Sequence, residues 1–185
     1  MTGPVALVTG GSRGLGLLIA TELVERGFRV AISARNADEL TRAADRLGPA
    51  ARPYTCDVRD RDQVNDLVRR VEADLGPVEV SVHVAGVIQV GPAADVTLDH
   101  FDDAIDTMLK GPIHLAWAVL PGMRQRRHGR IGTVASIGGM VSPPHLLPYS
   151  TAKFGAVGFS DGLSAELVGT GVTATTLVPG LMRTG

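Results

Sequence analysis

Tyr149 and Lys153 stand four residues apart in Tyr149-Ser150-Thr151-Ala152-Lys153. On a helix, residues at that separation share a face, with Cβ atoms about 5–6 Å apart. A phenol and an ammonium so placed form a candidate acid/base unit. Bringing a phenol from its ordinary pKa of about 10 to about 7 takes roughly 4 kcal/mol of differential stabilisation. A lysine charge about 4–5 Å away, at an effective dielectric of ~20, supplies about 3–4 kcal/mol, and desolvation of the phenolate opposes it. The spacing alone is common by chance, and a surface pair of this kind does nothing. Ser136 gives it weight. It closes an apolar run shortly before Tyr149, where its hydroxyl can face the same mouth and hydrogen-bond a substrate oxygen.

A second group suits an anion. Thr9-Gly10-Gly11-Ser12-Arg13-Gly14-Leu15-Gly16 follows the apolar run 5–8 and opens a helical pattern. Glycines permit a tight turn and a close backbone approach to a pyrophosphate, and a helix N-terminus offers free N–H groups at the positive end of its dipole. The spacing Gly-x-x-x-Gly-x-Gly is neither Gly-x-Gly-x-x-Gly nor a Walker loop. In a dinucleotide site the end of the second strand chooses between NAD and NADP, an acid there binding the ribose hydroxyls. Here it reads Ser33-Ala34-Arg35-Asn36, with Ala34 in place of the acid. Arg35 offers a planar fork of donors for a 2′-phosphate, and Arg13 in the glycine loop can reach the same group. NADP(H) is therefore favoured over NAD(H), with Asp38 the residue to suspect should NAD be the cofactor.

These groups need a frame that brings them to one edge. Short β-branched runs at 5–8, 29–34, 52–55, 79–84, 130–135 and 172–178 alternate with helical patterns at 14–26, 37–47, 60–75, 98–109, 112–127 and 149–168. Most of the runs are continuously apolar, as parallel strands covered on both faces are. Leu15, Leu18, Ile19 and Leu23 share one helical face, as do Val64, Leu67, Val68 and Val71. The alternation implies right-handed βαβ crossovers and a doubly wound parallel sheet, Rossmann-like, with helices on both faces. Ligands of such sheets sit beyond the carboxyl ends of the strands. Those ends carry the glycine loop, Arg35, Asp57-Val58, Ala85-Gly86, Ser136 and Pro179-Gly180.

With 185 residues and no linker or repeat, residues 1–185 read as one domain. A formal net charge of −1 gives no reason to expect nucleic acid or a membrane surface as partner. One cysteine, Cys56, excludes an internal disulfide and suits a reducing compartment. No basic region precedes a long apolar stretch at the start, and no apolar run reaches bilayer length. A cytoplasmic protein is expected. His100, His114 and His128 have no metal-ligand spacing with Cys56 or with one another, so no metal site is expected. His145, just before Tyr149, is a candidate for lining a substrate pocket or for an ordinary loop position.

Taken in order along the chain, these motifs resemble the short-chain dehydrogenase/reductase family, and the resemblance covers nearly the whole sequence. The loop at Thr9–Gly16 is similar to the family's Thr-Gly-x-x-x-Gly-x-Gly, and Tyr149 and Lys153 match its catalytic Tyr-x-x-x-Lys. The resemblance implies that Ser136 is the catalytic serine and that Asp57-Val58 contacts adenine. It implies that Pro179-Gly180 with Thr184 holds the nicotinamide amide. It further implies an oxidoreductase passing hydride between the nicotinamide and a carbonyl or alcohol substrate. In that reaction Tyr149 would act as general acid/base, Lys153 would lower its pKa and hold the nicotinamide ribose, and Ser136 would orient the substrate oxygen. The apolar segment 114–120 around Trp117 is by the same resemblance a helix that pairs subunits into homodimers or homotetramers, and otherwise core packing.

Three departures stand out. The family's Asn-Asn-Ala-Gly is His83-Val84-Ala85-Gly86 here, so only Ala85 and Gly86 match; His83 can serve in place of the family's side-chain hydrogen bonds, but a sheet-end histidine bonded to backbone is the favoured reading. Met108 falls where the family usually has an asparagine that helps hold a water in a proton relay to the lysine. Methionine cannot donate a hydrogen bond and accepts only weakly, so the relay takes another route or turnover suffers. The chain also stops at Gly185, where family members usually continue for some tens of residues with a substrate-covering helical segment and a last strand, so that part of the family fold is expected to be absent here. The first two departures motivate an alternative, a dinucleotide-binding sensor or scaffold with little turnover.

Overall fold

A computed structural model describes residues 3–182. Six parallel strands form one sheet in the order β3-β2-β1-β4-β5-β6: β1 Val5–Thr9, β2 Arg29–Ala34, β3 Ala51–Thr55, β4 Val78–His83, β5 Gly129–Val134 and β6 Val172–Leu177. The order reverses beside β1, between β2 and β4, which is the switch point where such sheets bind ligands. The helices are α1 Gly14–Glu25, α2 Ala37–Leu47, α3 Arg61–Leu75, α4 Leu98–Ile105, α5 Gly111–Arg126 and α6 Leu147–Glu166.

The doubly wound sheet inferred from strand–helix alternation is therefore present, and β1 shows why its strands read as continuous apolar runs. Ala6 and Val8 pack with Leu17, Ala20, Leu40 and Ala43 of α1 and α2. Val5 and Leu7 enter the opposite cluster with Val64, Leu67 and Val71 of α3 and Leu115, Val119 and Met123 of α5. Both faces of the strand are buried, so neither alternates with a polar residue. The edges differ: β3 carries Pro53, tolerable where one side of the strand is unpaired, and Thr173, Thr175 and Leu177 of β6 are exposed.

Three local readings are corrected. In α1 the buried residues against the sheet are Gly16, Leu17 and Ala20; Ile19 and Leu23 pack partly buried at the edge of the same cluster, and only Leu18 of the apolar face is exposed. Residues 98–126 form one nearly continuous rod rather than two helices with a break, because a π turn at Asp106–Lys110 joins α4 to α5. Finally, α6 starts at Leu147, two residues earlier than the tyrosine, with Pro148 in its first turn, where a missing N–H costs nothing.

The glycine loop crosses closely over the end of β4. Gly10 has φ 73°, and a Cβ there would lie 2.6 Å from the backbone nitrogen of Ala85, past the end of β4. The N–H of Gly10 also donates to the Ser33 carbonyl at the end of β2, at 2.7 Å. Gly10→Ala therefore meets both a left-handed backbone and an occupied space, and should cost about 2 kcal/mol or more of stability. Guanidinium denaturation of the variant against wild type checks this, and an unchanged midpoint would mean that the loop relaxes freely.

Candidate active site

The sheet's carboxyl edge opens into a cleft of about 740 Å³ whose walls include Gly10, Ser12, Arg13, Leu15, Gly16, Arg35, Asp57, Val58, Ala85, Gly86, Ser136, Tyr149, Lys153, Pro179 and Gly180. Nearly all the residues selected from sequence thus converge on one space. Gly14 does not border it; its φ of 54° turns the chain into α1 instead. Thr184 lies outside the described residues.

At one end the geometry suits an anion. Arg13, the N-cap residue of α1, supplies no side-chain acceptor to the helix, so the first-turn N–H groups are left without a side-chain cap. The glycines beside them let the loop lie close on the sheet: a Cβ on Gly11, which is buried, would sit 2.9 Å from Ile32 Cβ. This donor set, with its uncapped helix end, fits a pyrophosphate. Arg35 is exposed at the rim. Arg13 is also exposed and lies 3.9 Å from Glu39, whose carboxylate accepts from Ser12 Oγ at 3.2 Å. Glu39, not Asp38, is the acid that enters the cleft. Sequence reading missed it because it lies one residue beyond Asp38 in the first turn of α2, and helix pitch, not distance from the strand end, decides which of the two faces the glycine loop.

Asp57 is already engaged. Its carboxylate accepts from the Arg59 side chain at 2.7 Å and from the Arg59 backbone N–H at 3.0 Å. Burial favours its neutral form, but these Arg59 contacts hold the carboxyl below the usual range. Arg59 continues to Asp103 at 3.0 Å, tying the loop after β3 to α4. Cys56 lines the same wall, buried, with burial pushing its thiol up to about 11; a thiol so held is unreactive.

At the other end, Ser136, Tyr149 and Lys153 come together because two glycines let α6 approach β5. A Cβ on Gly138 would lie 2.9 Å from the Tyr149 ring, and one on Gly139 would lie 2.7 Å from the Lys153 carbonyl oxygen. The Lys153 Nζ donates to the Val134 carbonyl at 2.7 Å and sits 5.8 Å from the centre of the Tyr149 ring. Burial pushes this ammonium down to about 8, so at neutral pH it is still mainly charged. Ser136 Oγ accepts from the Gly138 N–H at 3.1 Å, which leaves its own hydrogen free to point into the cleft. Met108 and Thr107, from the π turn, line the cleft beside them, Met108 packing with Ala152 and Tyr149.

His83 is bonded as expected of a sheet-end histidine: Nε2 meets the Thr107 carbonyl at 3.1 Å and Nδ1 meets Thr9 Oγ1 at 3.0 Å. The other histidines serve locally. His100 Nδ1 accepts from the Thr97 N–H at the start of α4, His114 bonds the Val58 carbonyl, and His128 lies 3.3 Å from Glu79. His145 sits exposed in the loop before α6 with a left-handed φ of 68°, and its carbonyl accepts from Gly91, binding that loop to the one after β4. Among the described residues no cluster of His, Cys, Asp or Glu could hold a metal ion, and no helix is long and apolar enough to cross a membrane.

A family model described as short chain dehydrogenase matches residues 4–185. The chain belongs to the short-chain dehydrogenase/reductase family. It is an oxidoreductase of that type, with ketoacyl reductases among its relatives. A Streptomyces coelicolor protein described as a ketoacyl reductase is 39% identical, over 97% of this chain and 71% of its own length. The 3-oxoacyl-(acyl-carrier-protein) reductase FabG of Escherichia coli is 32% identical, over 98% of this chain and 75% of its own length. Among solved structures, an actinorhodin polyketide ketoreductase determined with NADPH superposes with a TM-score of 0.95 at 38% identity, covering 98% of this chain and 72% of that one.

The electrostatics of His83 make a pH prediction. Burial, aided by the Lys153 charge, pushes the imidazole from its ordinary 6.5 down to about 3, against the pull of the Thr107 carbonyl. The unfolded chain therefore holds one proton more than the folded chain between about 6.5 and about 3. The stability owed to the neutral ring is complete above that window. It declines as pH falls through it, by about 1.4 kcal/mol per pH unit for one proton. Urea unfolding of wild type should lose stability faster than His83→Gln by that slope across the window. Parallel curves would mean that the folded ring accepts the proton.

Proposed function

We propose that the chain transfers hydride between NADP(H) and a carbonyl/alcohol substrate, with Tyr149 as general acid/base. The observation that carries this reading is the convergence of Tyr149, Lys153 and Ser136 on the same cleft as the glycine loop. A binding module has no need of a buried ammonium beside a phenol.

When bound, the nicotinamide supplies or accepts the hydride at the substrate carbon. Tyr149 gives its hydroxyl proton to the substrate oxygen in reduction and takes a proton back in oxidation. Lys153, fixed by the Val134 carbonyl and charged at neutral pH, favours the phenolate left behind and would hold the nicotinamide ribose of a bound cofactor. Ser136, its acceptor side already satisfied by Gly138, donates to the substrate oxygen and orients it. Gly10, Ser12, Arg13, Gly14, Leu15 and Gly16 would hold the pyrophosphate, Asp57 and Val58 the adenine end, and Ala85, Gly86, Pro179, Gly180 and Thr184 the nicotinamide half. Arg35 and Arg13 favour the 2′-phosphate of NADP(H), in keeping with the NADPH in the ketoreductase structure. Glu39 favours the competing cofactor, since a carboxylate at this end suits the free ribose hydroxyls of NAD(H).

The test is a fluorescence titration with NADPH and NADH, followed by NADPH-dependent reduction of cyclohexanone and acetoacetyl-CoA. NADPH should bind more tightly than NADH, and Arg35→Ala should weaken NADPH selectively, by about tenfold for one lost charge-assisted contact. Tyr149→Phe should keep cofactor binding and lose nearly all turnover. Undiminished turnover in Tyr149→Phe would refute the mechanism. Cofactor binding without turnover in wild type would favour the sensor or scaffold reading.

The protein is also proposed to act as a homodimer or homotetramer in the cytoplasm. The observation behind the assembly is on α5 and α6: Leu115, Ala116 and Val119 face the core, while Trp117 remains 60% exposed, 6.1 Å from Phe159, with Phe154 exposed on the same helix. Trp117→Glu should shift the sedimentation equilibrium of the protein towards monomer; an unchanged oligomeric state would place the interface elsewhere.

A further inference from the structure

The π turn between α4 and α5 exposes a backbone acceptor, and His83 takes it. The N–H of Gly111 donates to the carbonyl of Asp106, five residues back. In an α-helix it would donate to Thr107, four back. The Thr107 carbonyl is thus released from the helix ladder, in a residue only 6% exposed, and needs another donor. Its partner is His83 Nε2 at 3.1 Å. That bond sets the tautomer: Nε2 carries the hydrogen, and Nδ1 accepts from Thr9 Oγ1 at 3.0 Å. The ring also occupies space that the rod must leave open, since a Cβ on Gly111 would lie 2.7 Å from His83 Cε1.

What the turn presents to the cleft is Met108, the residue next to the capped carbonyl. Met108 is 1% exposed. It packs with Ala104 and Ala152, with Tyr149 against the same cluster, and a Cβ on Gly86 would lie 3.4 Å from its sulfur. A thioether with three rotatable bonds has no hydrogen bond to locate it. Its place depends on the backbone that carries it, and that backbone is held by His83.

We propose that His83 is a positioning residue: by donating to the carbonyl freed at the π turn it fixes Met108 against the Tyr149 end of the cleft. This rests on the oxidoreductase reading above and assigns the site a support on the first strand pair, through Thr9, that acts without touching substrate or cofactor. Histidine and methionine at these two positions form one arrangement. The ring holds the turn, and the methionine fills the wall that the turn presents.

The test uses the full chain with His83→Leu, which removes the donor, and His83→Gln, whose amide nitrogen can reach the place of Nε2. Hydrogen exchange of the peptide containing Asp106–Lys110 and Gly111 should quicken in His83→Leu and stay near wild type in His83→Gln. NADPH affinity should change little in either. With cyclohexanone, kcat should fall about tenfold or more in His83→Leu at nearly constant KM, as a small misplacement in a site does, and His83→Gln should recover most of it. Gly111→Ala, which crowds the ring while leaving it in place, should reproduce the exchange change and the kcat loss, and should add little to His83→Leu. A His83→Leu protein with a lower melting temperature but wild-type kcat and exchange would make His83 a packing residue and overturn the proposal. So would a Gln variant no better than Leu, or losses in Gly111→Ala and His83→Leu that simply add. The exchange arms need no turnover. A chain that reduces no ketone therefore sinks the functional reading, while the Leu-against-Gln contrast still decides the role of His83.

Discussion

Lys153 is the one cation buried among the described residues, and its ammonium is held by a single backbone carbonyl, that of Val134, at 2.7 Å. An ammonium taken out of water costs several kcal/mol unless its hydrogens find acceptors, and burial accordingly lowers the Lys153 pKa. The fold meets it through close approach. Gly138 and Gly139 keep their places clear of side chains so that α6 can lie on the end of β5, Tyr149 against one glycine and the Lys153 backbone against the other. Were either glycine to carry a side chain, α6 would stand off, Nζ would lose Val134, and the phenol would lose its neighbouring charge. Strand end, glycine pair and helix therefore form one unit.

The rest of the site is built on the same edge by the same means. All six strands run parallel, so each connecting segment leaves the carboxyl edge towards a helix, and functional residues from distant parts of the chain arrive there together. The glycine loop uses backbone N–H groups and an open helix end, whereas the Tyr149 end uses side chains. The two are joined where Gly10 presses on Ala85 and where Val84 donates to the Thr9 carbonyl. A strand-length displacement at either end would be felt at the other, because no side chain lies between them to absorb it.

The wall beside Tyr149 is carried by a helix that is not regular. π turns are frequent at functional sites, and this one releases a carbonyl inside the protein. The ion pairs of Arg59 with Asp57 and Asp103 hold α4 to the loop after β3, while His83 holds the turn to β4 and β1. Two of the residues that depart from the family pattern, His83 and Met108, are separated in sequence and joined here through the Thr107 carbonyl and one ring. Their chemistry is complementary, the one a donor with a fixed tautomer, the other an apolar filler without direction of its own.

Much of this was legible in the chain. Continuous apolar runs alternating with amphipathic segments dictate a parallel sheet, since only strands covered on both faces omit polar alternation. The spacing of Tyr149 and Lys153 dictates a shared helical face, and the glycine loop dictates a close backbone approach. These are local consequences of periodicity and of what a missing side chain permits. Tertiary structure alone decided the remainder. The face of α1 is rotated from the apolar stripe, so that Leu18 is exposed while Ile19 and Leu23 pack at its edge, because Gly16 and Ala20, weak signals in an apolar pattern, are the ones that must touch the sheet. The α4–α5 junction was read as a break because a π turn leaves no mark in hydrophobic spacing; it needs a donor from another strand, and nothing in the neighbourhood of Thr107 announces His83. Glu39 entered the cleft through the pitch of α2, which no strand-end rule contains. Local sequence fixes which groups are available, but hydrogen bonds and contacts between distant segments decide which of them meet, because those depend on how closely two backbones approach after the sheet has formed.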